Sequence, residues 1–408
     1  MYLDSLRLAN FGKFREAHVR FLHPGLATAS TNLPRPQWPN LNLILGLNGA
    51  GKSTLLKAIA LAATGQAGAP DATGKMGWIR RPAGVPGLRA SAPLEAVIEA
   101  SFVTPGRGKV AAAAAMLKRA TIAQQGGKEV FSAPPAPARA SATPAQKLLL
   151  VGYGATRRVE DTAAFRTARR SASAPENRSH GLFHEAHALT PLAAWLPQVQ
   201  RDQPARFAQV QTVLNRLLAP AGCRFAGALE AGDYVFQRDG LPVPFAALSD
   251  GIRALLGWVG DLLAHLAAQY PPPVALATAP AVVMVDEVDL HLHPEWQRQL
   301  LPLLARTLPK LQFLVTTHSP LVVGSVEWMN LILVQPGPES TGEAVRVVRP
   351  VHGLDADQVL LTEFFGLSST RAPAKEQRLG RLTEQTANGD FQAAKDLLAA
   401  LSRGEEAL

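Results

Sequence analysis

Three short motifs, in a set order, constrain this chain more than any other property. A glycine-rich GLNGAGKST occupies residues 46–54, a serine-led LSDGIRALL follows at 248–256, and an apolar run closed by paired acids, VVMVDEVDLHLHP, lies at 282–294. The first reads as a phosphate cradle. Gly46, Gly51, Lys52 and Ser53 satisfy G-x-x-x-x-G-K-S, with a strand-like stretch before them at 41–45 and helix formers after them at 54–63. In such a loop successive backbone N–H groups point inward at phosphate oxygens, helped by the positive end of the following helix. Glycine is needed where the chain turns through positive φ and passes too close to phosphate for a side chain. Asn48, Gly49 and Thr54 belong to the same cradle. Lys52 is expected to bridge the β- and γ-phosphates of a nucleotide such as ATP, and Ser53 to ligate its Mg²⁺.

The other motifs supply what a bare cradle lacks. The β-branched run 282–285 is suited to a central strand buried on both faces. Asp286 at its end is placed to hold Mg²⁺ through water, and Glu287 beside it to polarise an attacking water. A strand capped by solvated acids is the bland alternative, and the glycine loop upstream weighs against it. Thr316-Thr317-His318-Ser319-Pro320 follows a second apolar strand at 312–315. His318 comes 31 residues after Glu287 and is expected to sense the γ-phosphate from the neighbouring strand. Ser249, Asp250 and Gly251 open a helix at 252–267, so the Ser249 hydroxyl and the N–H groups behind it form an anion site at a helix N-terminus. The local geometry of an N-cap holds whether or not a phosphate is bound. The functional expectation is that the phosphate comes from a partner subunit.

Composition sets outer bounds. With 408 residues, 47% hydrophobic and 18% charged, the chain can bury one large α/β domain with insertions or two to three packed units. Pro271, Pro272, Pro273, Pro280 and Asp261 break the longest apolar stretches below the ~18 residues of a membrane helix. No secretory signal pattern opens the chain, and no membrane partner is expected. Cys223 is the single cysteine, which excludes internal disulfides and a thiolate zinc cluster and reads as a reducing cytoplasm. The excess of 41 Lys+Arg over 32 Asp+Glu gives +9. That permits nucleic-acid contact, or reflects only a generally basic surface.

Along the chain, Leu3, Leu6 and Leu8, then Val19 and Phe21, read as a strand pair joined by NFGKFREA. Residues 24–40 read as a loop, 65–93 as an irregular insertion, 94–103 and 147–151 as strands, 111–119 as a helix and 132–144, with four prolines, as a loop. The stretch 157–245 is mostly helical in pattern, with helices at 190–200 and 207–218 and a short strand at 234–236. A helix at 300–308, a strand at 312–316 and an amphipathic helix at 391–401 complete the reading. The domain expectation is 1–158 and 248–350 as two parts of one head, 159–247 as an inserted, mainly helical lobe, and 351–408 as a C-terminal tail with helices.

Together these residues resemble the ABC-type ATPases, within them the RecF/SMC-like and overcoming-lysogenization-defect (OLD) branch rather than transporters. The LRLANFGKF opening, the glycine loop, LSDG, DEVDLHLHP and TTHSP carry the resemblance. It implies an α/β P-loop head with a mixed sheet, an N-terminal antiparallel β subdomain and an inserted helical lobe. It also implies that Lys52, Ser53, Asp286, Glu287 and His318 act in one subunit, while Ser249 and Gly251 act across a homodimer on ATP and Mg²⁺. Transporters carry LSGGQ and DEPTxxLD, whereas here Asp250 replaces a glycine and His293 stands in place of the D-loop aspartate. Phe14 is expected near the adenine.

Spacing sorts the branches. Only 197 residues separate Lys52 from Ser249, too few for a long SMC coiled coil, and 90 follow His318, too few for an OLD Toprim nuclease. Asp355-Ala356-Asp357 imitates the D-x-D of that nuclease but reads as a turn. GYGATRR at 152–158, LFHEAHALTPLAAWL at 182–196 and FFGLSSTRAP at 364–373 are similar to the ATPases of bacterial anti-phage systems such as Septu. That resemblance implies an HNH-type nuclease partner and assembly beyond a dimer; the alternative is a RecF-like repair ATPase that binds DNA directly. Two further clusters stand out. His180, His184 and His187 fall at helical spacing, although Gly181 and the lack of an acidic partner argue against zinc. Arg157, Arg158, Arg166, Arg169, Arg170 and Arg178 form either a solvated basic face or a phosphate-tracking surface.

Overall fold

The computed structural model describes residues 1–25, 36–65, 77–80, 95–104, 114–125, 128–133, 148–157, 175–185, 187–230, 232–337, 342–347 and 352–402. The chain opens on β1 (Tyr2–Phe11) and β2 (Phe14–Arg20), then runs through β3 (Leu41–Leu45) into α1 (Lys52–Thr64). Next come β4 (Glu95–Thr104), β5 (Ala114–Gln125), β6 (Lys128–Ser132) and β7 (Leu150–Tyr153). Helices α2 (Leu192–Asp202) and α3 (Pro204–Leu218) precede β8 (Cys223–Glu230), β9 (Asp233–Arg238) and β10 (Leu241–Pro244). The long helix α4 (Asp250–Gln269) leads to β11 (Ala281–Val285), α5 (Pro294–Thr307), β12 (Leu311–Thr316) and the short α6 (Pro320–Gly324). Strands β13 (Leu331–Pro336) and β14 (Gly342–Arg346) close the compact unit Met1–Leu354. A second unit, Asp355–Leu408, holds α7 (Ala356–Leu360) and the mutually packed α8 (Pro373–Ala387) and α9 (Phe391–Ser402).

The architecture is α/β. One mixed sheet has the order β14-β13-β3-β12-β11-β7, parallel throughout except for β14. Its central strands β3, β11 and β12 are buried at every residue, as the apolar runs demand of a sheet covered on both faces. A second sheet, β2-β1-β4-β5-β6, is wholly antiparallel. Helix α1 touches β4, β5, β12 and β7, so it lies in the core shared by the two sheets. Its Ala58, Ala60 and Ala62, fully or almost fully buried, suit that close approach. Polar side chains join the sheets: buried Gln312 exchanges two 2.7 Å bonds with the Leu3 backbone, and Asn42 does the same with Leu22 at 2.7 and 2.8 Å. This is why Asn42 and Gln312 interrupt otherwise apolar strands. Each satisfies backbone groups that would be costly to bury unpaired.

Several expectations are corrected. The 111–119 stretch was expected to be a helix on its alanines; residues 114–125 instead form β5, paired with β4 along its length, with Ala120 and Ile122 buried on alternate positions. Pairing and a period-2 apolar face outweigh alanine's weak helical preference. The stretch before α4, read as mainly helical with one short strand at 234–236, holds more strand than that: β8, β9 and β10 form a three-stranded antiparallel sheet that includes 234–236. Asp355 opens a helix instead of a turn: it caps α7 in a reciprocal box with Gln358. Finally, α4 is long and apolar enough to cross a membrane, with mean hydropathy 1.2, which corrects the expectation that no stretch reaches that length. Two thirds of that window is buried inside the protein, which accounts for it as a core helix. Most of the expected 24–40, 65–93 and 132–144 loops lies outside the described residues, as do Arg158, Arg166, Arg169 and Arg170.

Buried Asp261 of α4 ties that helix to the sheet. It accepts from Tyr153 Oη at 2.8 Å and Thr190 N at 2.9 Å, and pairs with His265 at 3.3 Å. Burial opposes its charge, yet the His265 imidazole and the Thr190 donor hold its pKa below the ordinary 3.8. Asp261→Ala leaves the buried Tyr153 hydroxyl and the half-buried Thr190 N–H unanswered and is expected to lower stability by about 2–4 kcal/mol, read by urea unfolding at pH 7. A depressed carboxylate pKa stabilises above the unfolded value and loses that contribution as pH falls through the folded one. The gap between variant and wild type should therefore hold down to pH 3.8 and narrow only below it.

Candidate nucleotide site

Strand β3 delivers the chain straight into the glycine loop, and α1 begins at Lys52. Gly46, Gly49 and Gly51 have φ of 144°, 71° and 115°. A Cβ on Gly46 would sit 2.0 Å from the Val334 carbonyl oxygen of β13, so that position admits glycine alone. Asn48 and Gly49 are exposed, Ser53 and Thr54 half-buried. Buried Lys52 folds back over the loop, its Nζ donating to Gly46 O at 2.7 Å and Leu47 O at 3.1 Å. Burial lowers its pKa, while Asp286 and Glu287 pull the other way. An ammonium held only by carbonyls, inside a turn of positive-φ glycines, is the arrangement an anionic phosphate would complete.

The acids lie on the next strand but one. Register pairs β12 with both β3 and β11, and β11 with β7. Asp286, at the end of β11, is buried and accepts from Thr316 Oγ1 at 2.5 Å. The Glu287 backbone N–H donates to the same Thr316 oxygen at 2.7 Å, and Glu287 adopts φ 49°. Beyond β12, Thr317 donates to Asp289, and Ser319 caps α6 while donating to Gln297 at 2.6 Å. His318 stands between these two anchored residues and is exposed at the strand end. Ser53 and Asp286 are the hydroxyl and the carboxylate that could hold Mg²⁺ beside phosphate oxygens. Among the described residues no group of three or more His, Cys, Asp or Glu is arranged to hold a metal by itself.

Ser249 occupies the N-cap position of α4, is exposed, and makes no side-chain capping bond; Asp250 pairs instead with Arg253. Buried Gly251 explains how this helix end is fixed, since a Cβ there would lie 2.6 Å from the His291 carbonyl oxygen. The signature helix thus abuts the segment leaving Glu287. His293, left without a role by the sequence, caps α5 through Nδ1. Phe14 is fully buried against Gly51 and Gly342, beneath the loop, which is a structural support and not an exposed face for adenine. Of the three histidines only His180 lies on the 3₁₀ segment Pro175–Leu182, and His184 and His187 follow it in irregular chain; the ring centroids of His180 and His184 are 5.4 Å apart and those of His180 and His187 6.2 Å apart.

Sequence reasoning assigns no role to Thr316 or Lys13 and reads Arg157 only as part of a basic face or phosphate-tracking surface. Thr316 bridges both acids. Lys13, in the FGKF turn, has its Nζ 3.5 Å from where a Gly49 Cβ would stand. Arg157 donates to the backbone oxygens of Gly154, Asp286 and Glu287. The local cue is a basic residue shortly past a glycine, Lys13 directly after Gly12 and Arg157 three residues after Gly154, and it does not say what either side chain reaches.

A strand running into a positive-φ glycine loop and a helix, with paired acids at the end of a strand in the same mixed sheet, has the form of a P-loop nucleotide site. A family model described as "AAA domain" matches residues 5–103, and one described as "AAA domain, putative AbiEii toxin, Type IV TA system" matches 153–324. Two stretches of the chain are thus similar to AAA domains. Among curated proteins it is similar to the "Retron Ec83 probable ATPase" of Escherichia coli, with 33% identity over 26% of this chain and 19% of that one. It is also similar to the "Septu protein PtuA" of Bacillus thuringiensis, with 26% identity over 35% of this chain and 37% of that one. The matches therefore span well under two thirds of these relatives' length. Among solved structures, the SMC head domain from Thermotoga maritima aligns at TM-score 0.44 and 19% identity, covering 86% of this chain and 100% of that chain. An SmcHead bound to the C-winged helix domain of ScpA aligns at 0.49 and 17%, covering 85% and 97%.

Proposed function

We propose that this chain binds ATP with Mg²⁺ and hydrolyses it at a composite site completed by a second copy, and that the cycle controls a partner nuclease or nucleic-acid engagement in anti-phage defence. The observation that carries the reading is the placement of Ser249. Its hydroxyl is exposed and uncommitted at the head of a helix whose next turn is locked to the acid-bearing segment. A phosphate presented by another copy is the ligand such an end accepts. Within one copy, Gly46, Asn48, Gly49, Gly51, Lys52, Ser53 and Thr54 hold the phosphates; Ser53 and Asp286 hold Mg²⁺, which when bound neutralises phosphate charge. Glu287 orients and deprotonates the attacking water, and His318 donates to the γ-phosphate. The matched stretches in retron and Septu proteins support the defence setting, and the +9 charge supports contact with nucleic acid. A cytoplasmic site of action suits the single cysteine.

Lys52→Ala tests the cradle. Loss of its charge should weaken ATP binding by about 100-fold or more, measured by calorimetry on the isolated chain. Affinity equal to wild type would remove the glycine loop from nucleotide binding. Sedimentation of the wild type with and without ATP reads the second copy directly.

A further inference from the structure

The β7 strand runs beside β11 in register, Tyr153 opposite Val285, so the chain leaving β7 emerges next to the turn leaving β11. Gly154 lets it pass, since a Cβ there would lie 2.1 Å from the Gly181 carbonyl oxygen. Three residues on, Arg157 turns back. Its Nη1 donates to Gly154 O at 3.0 Å and to Asp286 O, and its Nη2 donates to Glu287 O at 2.8 Å. These acceptors are main-chain oxygens of the two acids, not their carboxylates. Leu290 N shares the Glu287 oxygen at 3.1 Å. Across the turn, Thr316 Oγ1 fixes the Glu287 N–H. The turn is therefore held on its donor side by Thr316 and on its acceptor side by Arg157.

The clamp has something to hold. Glu287 at φ 49° sits in the left-handed region, which costs a non-glycine residue about 1–2 kcal/mol. Such a conformation persists only where its surroundings over-determine it. Consecutive carbonyls aimed at one group require two donors in one plane, which a guanidinium provides and an ammonium does not. Burial pulls the Arg157 pKa down to about 10, against Asp286, Asp289 and Glu287, so the group stays charged at neutral pH.

We propose that Arg157 is a positioning residue for hydrolysis: by binding the carbonyls of Asp286 and Glu287 it sets the backbone that aims the Glu287 carboxylate. The inference rests on the reading of Glu287 as the base. The test compares full-length wild type with Arg157→Ala and Arg157→Lys by two readouts. Hydrogen exchange of the 283–292 peptide, without nucleotide, should quicken about tenfold in both variants. In steady-state hydrolysis kcat should fall about 30–100-fold in Arg157→Ala with KM for ATP within about threefold, and millimolar guanidinium should restore part of it. Arg157→Lys should recover the charge but little of the rate. Unchanged exchange, unchanged kcat, or loss of ATP binding in step with kcat would each overturn the proposal. A wild type that does not hydrolyse ATP defeats the reading of Glu287, while the exchange readout still decides the clamp. Should Arg157→Ala not fold, Arg157→Lys carries both measurements.

Discussion

Glu287→Gln should bind ATP as the wild type does and turn it over at least about a hundredfold more slowly, the range general bases supply. The substitution keeps the side chain's shape and removes only its capacity to take a proton. Its backbone anchors are untouched, because the Thr316 bond goes to the Glu287 N–H and the Arg157 bond to the Glu287 carbonyl. Lys52 and the glycine loop lie on a separate segment, so the cradle keeps its geometry. The measurement is phosphate release under saturating ATP beside nucleotide affinity by calorimetry. A variant that binds and also hydrolyses at the wild-type rate would strike Glu287 from the base role. Because binding outlives hydrolysis, ATP should also hold more of this variant than of wild type in an associated form, visible by sedimentation as a larger fast-moving fraction.

How much of this was legible beforehand follows from what each signal encodes. The turn and helix start of the glycine loop are local: the positive-φ glycines and the first residue of α1 all lie within nine residues, so GLNGAGKST announces them, whereas the close approach of Gly46 to Val334 does not show there. The apolar runs that became β3, β11 and β12 were legible because strands buried on both faces leave few alternatives. The 114–125 strand was not, because its alanines and lysine speak weakly and its pairing with β4 is a long-range fact. The same limit hid the acid turn's supports. Thr316 and Arg157 lie 30 and 129 residues from Asp286, and nothing local announces that either one reaches it. Phe14 was read for its aromatic face, yet the space under Gly51 required a ring inside.

The sharpest expected result concerns Ser249, since it separates a composite site from one complete within a single chain. The residue is exposed and makes no capping bond, so Ser249→Arg should neither unfold α4 nor disturb the cradle around Lys52. ATP affinity of the isolated chain is expected to stay within about threefold of wild type. A bulky cation at this helix end blocks the approach of a second copy and removes the hydroxyl, so association and hydrolysis should both fall, the latter by about 100-fold. Mixing makes the test stricter. When Ser249→Arg and Lys52→Ala chains pair, one composite site carries both lesions and the other carries neither. Hydrolysis plotted against mixing ratio should then rise above either variant alone, with a maximum near equal amounts. Two inactive chains that restore activity only together can do so only by sharing a site. Full activity of Ser249→Arg by itself would mean that each chain completes its own site, and the exposed helix end would need another explanation.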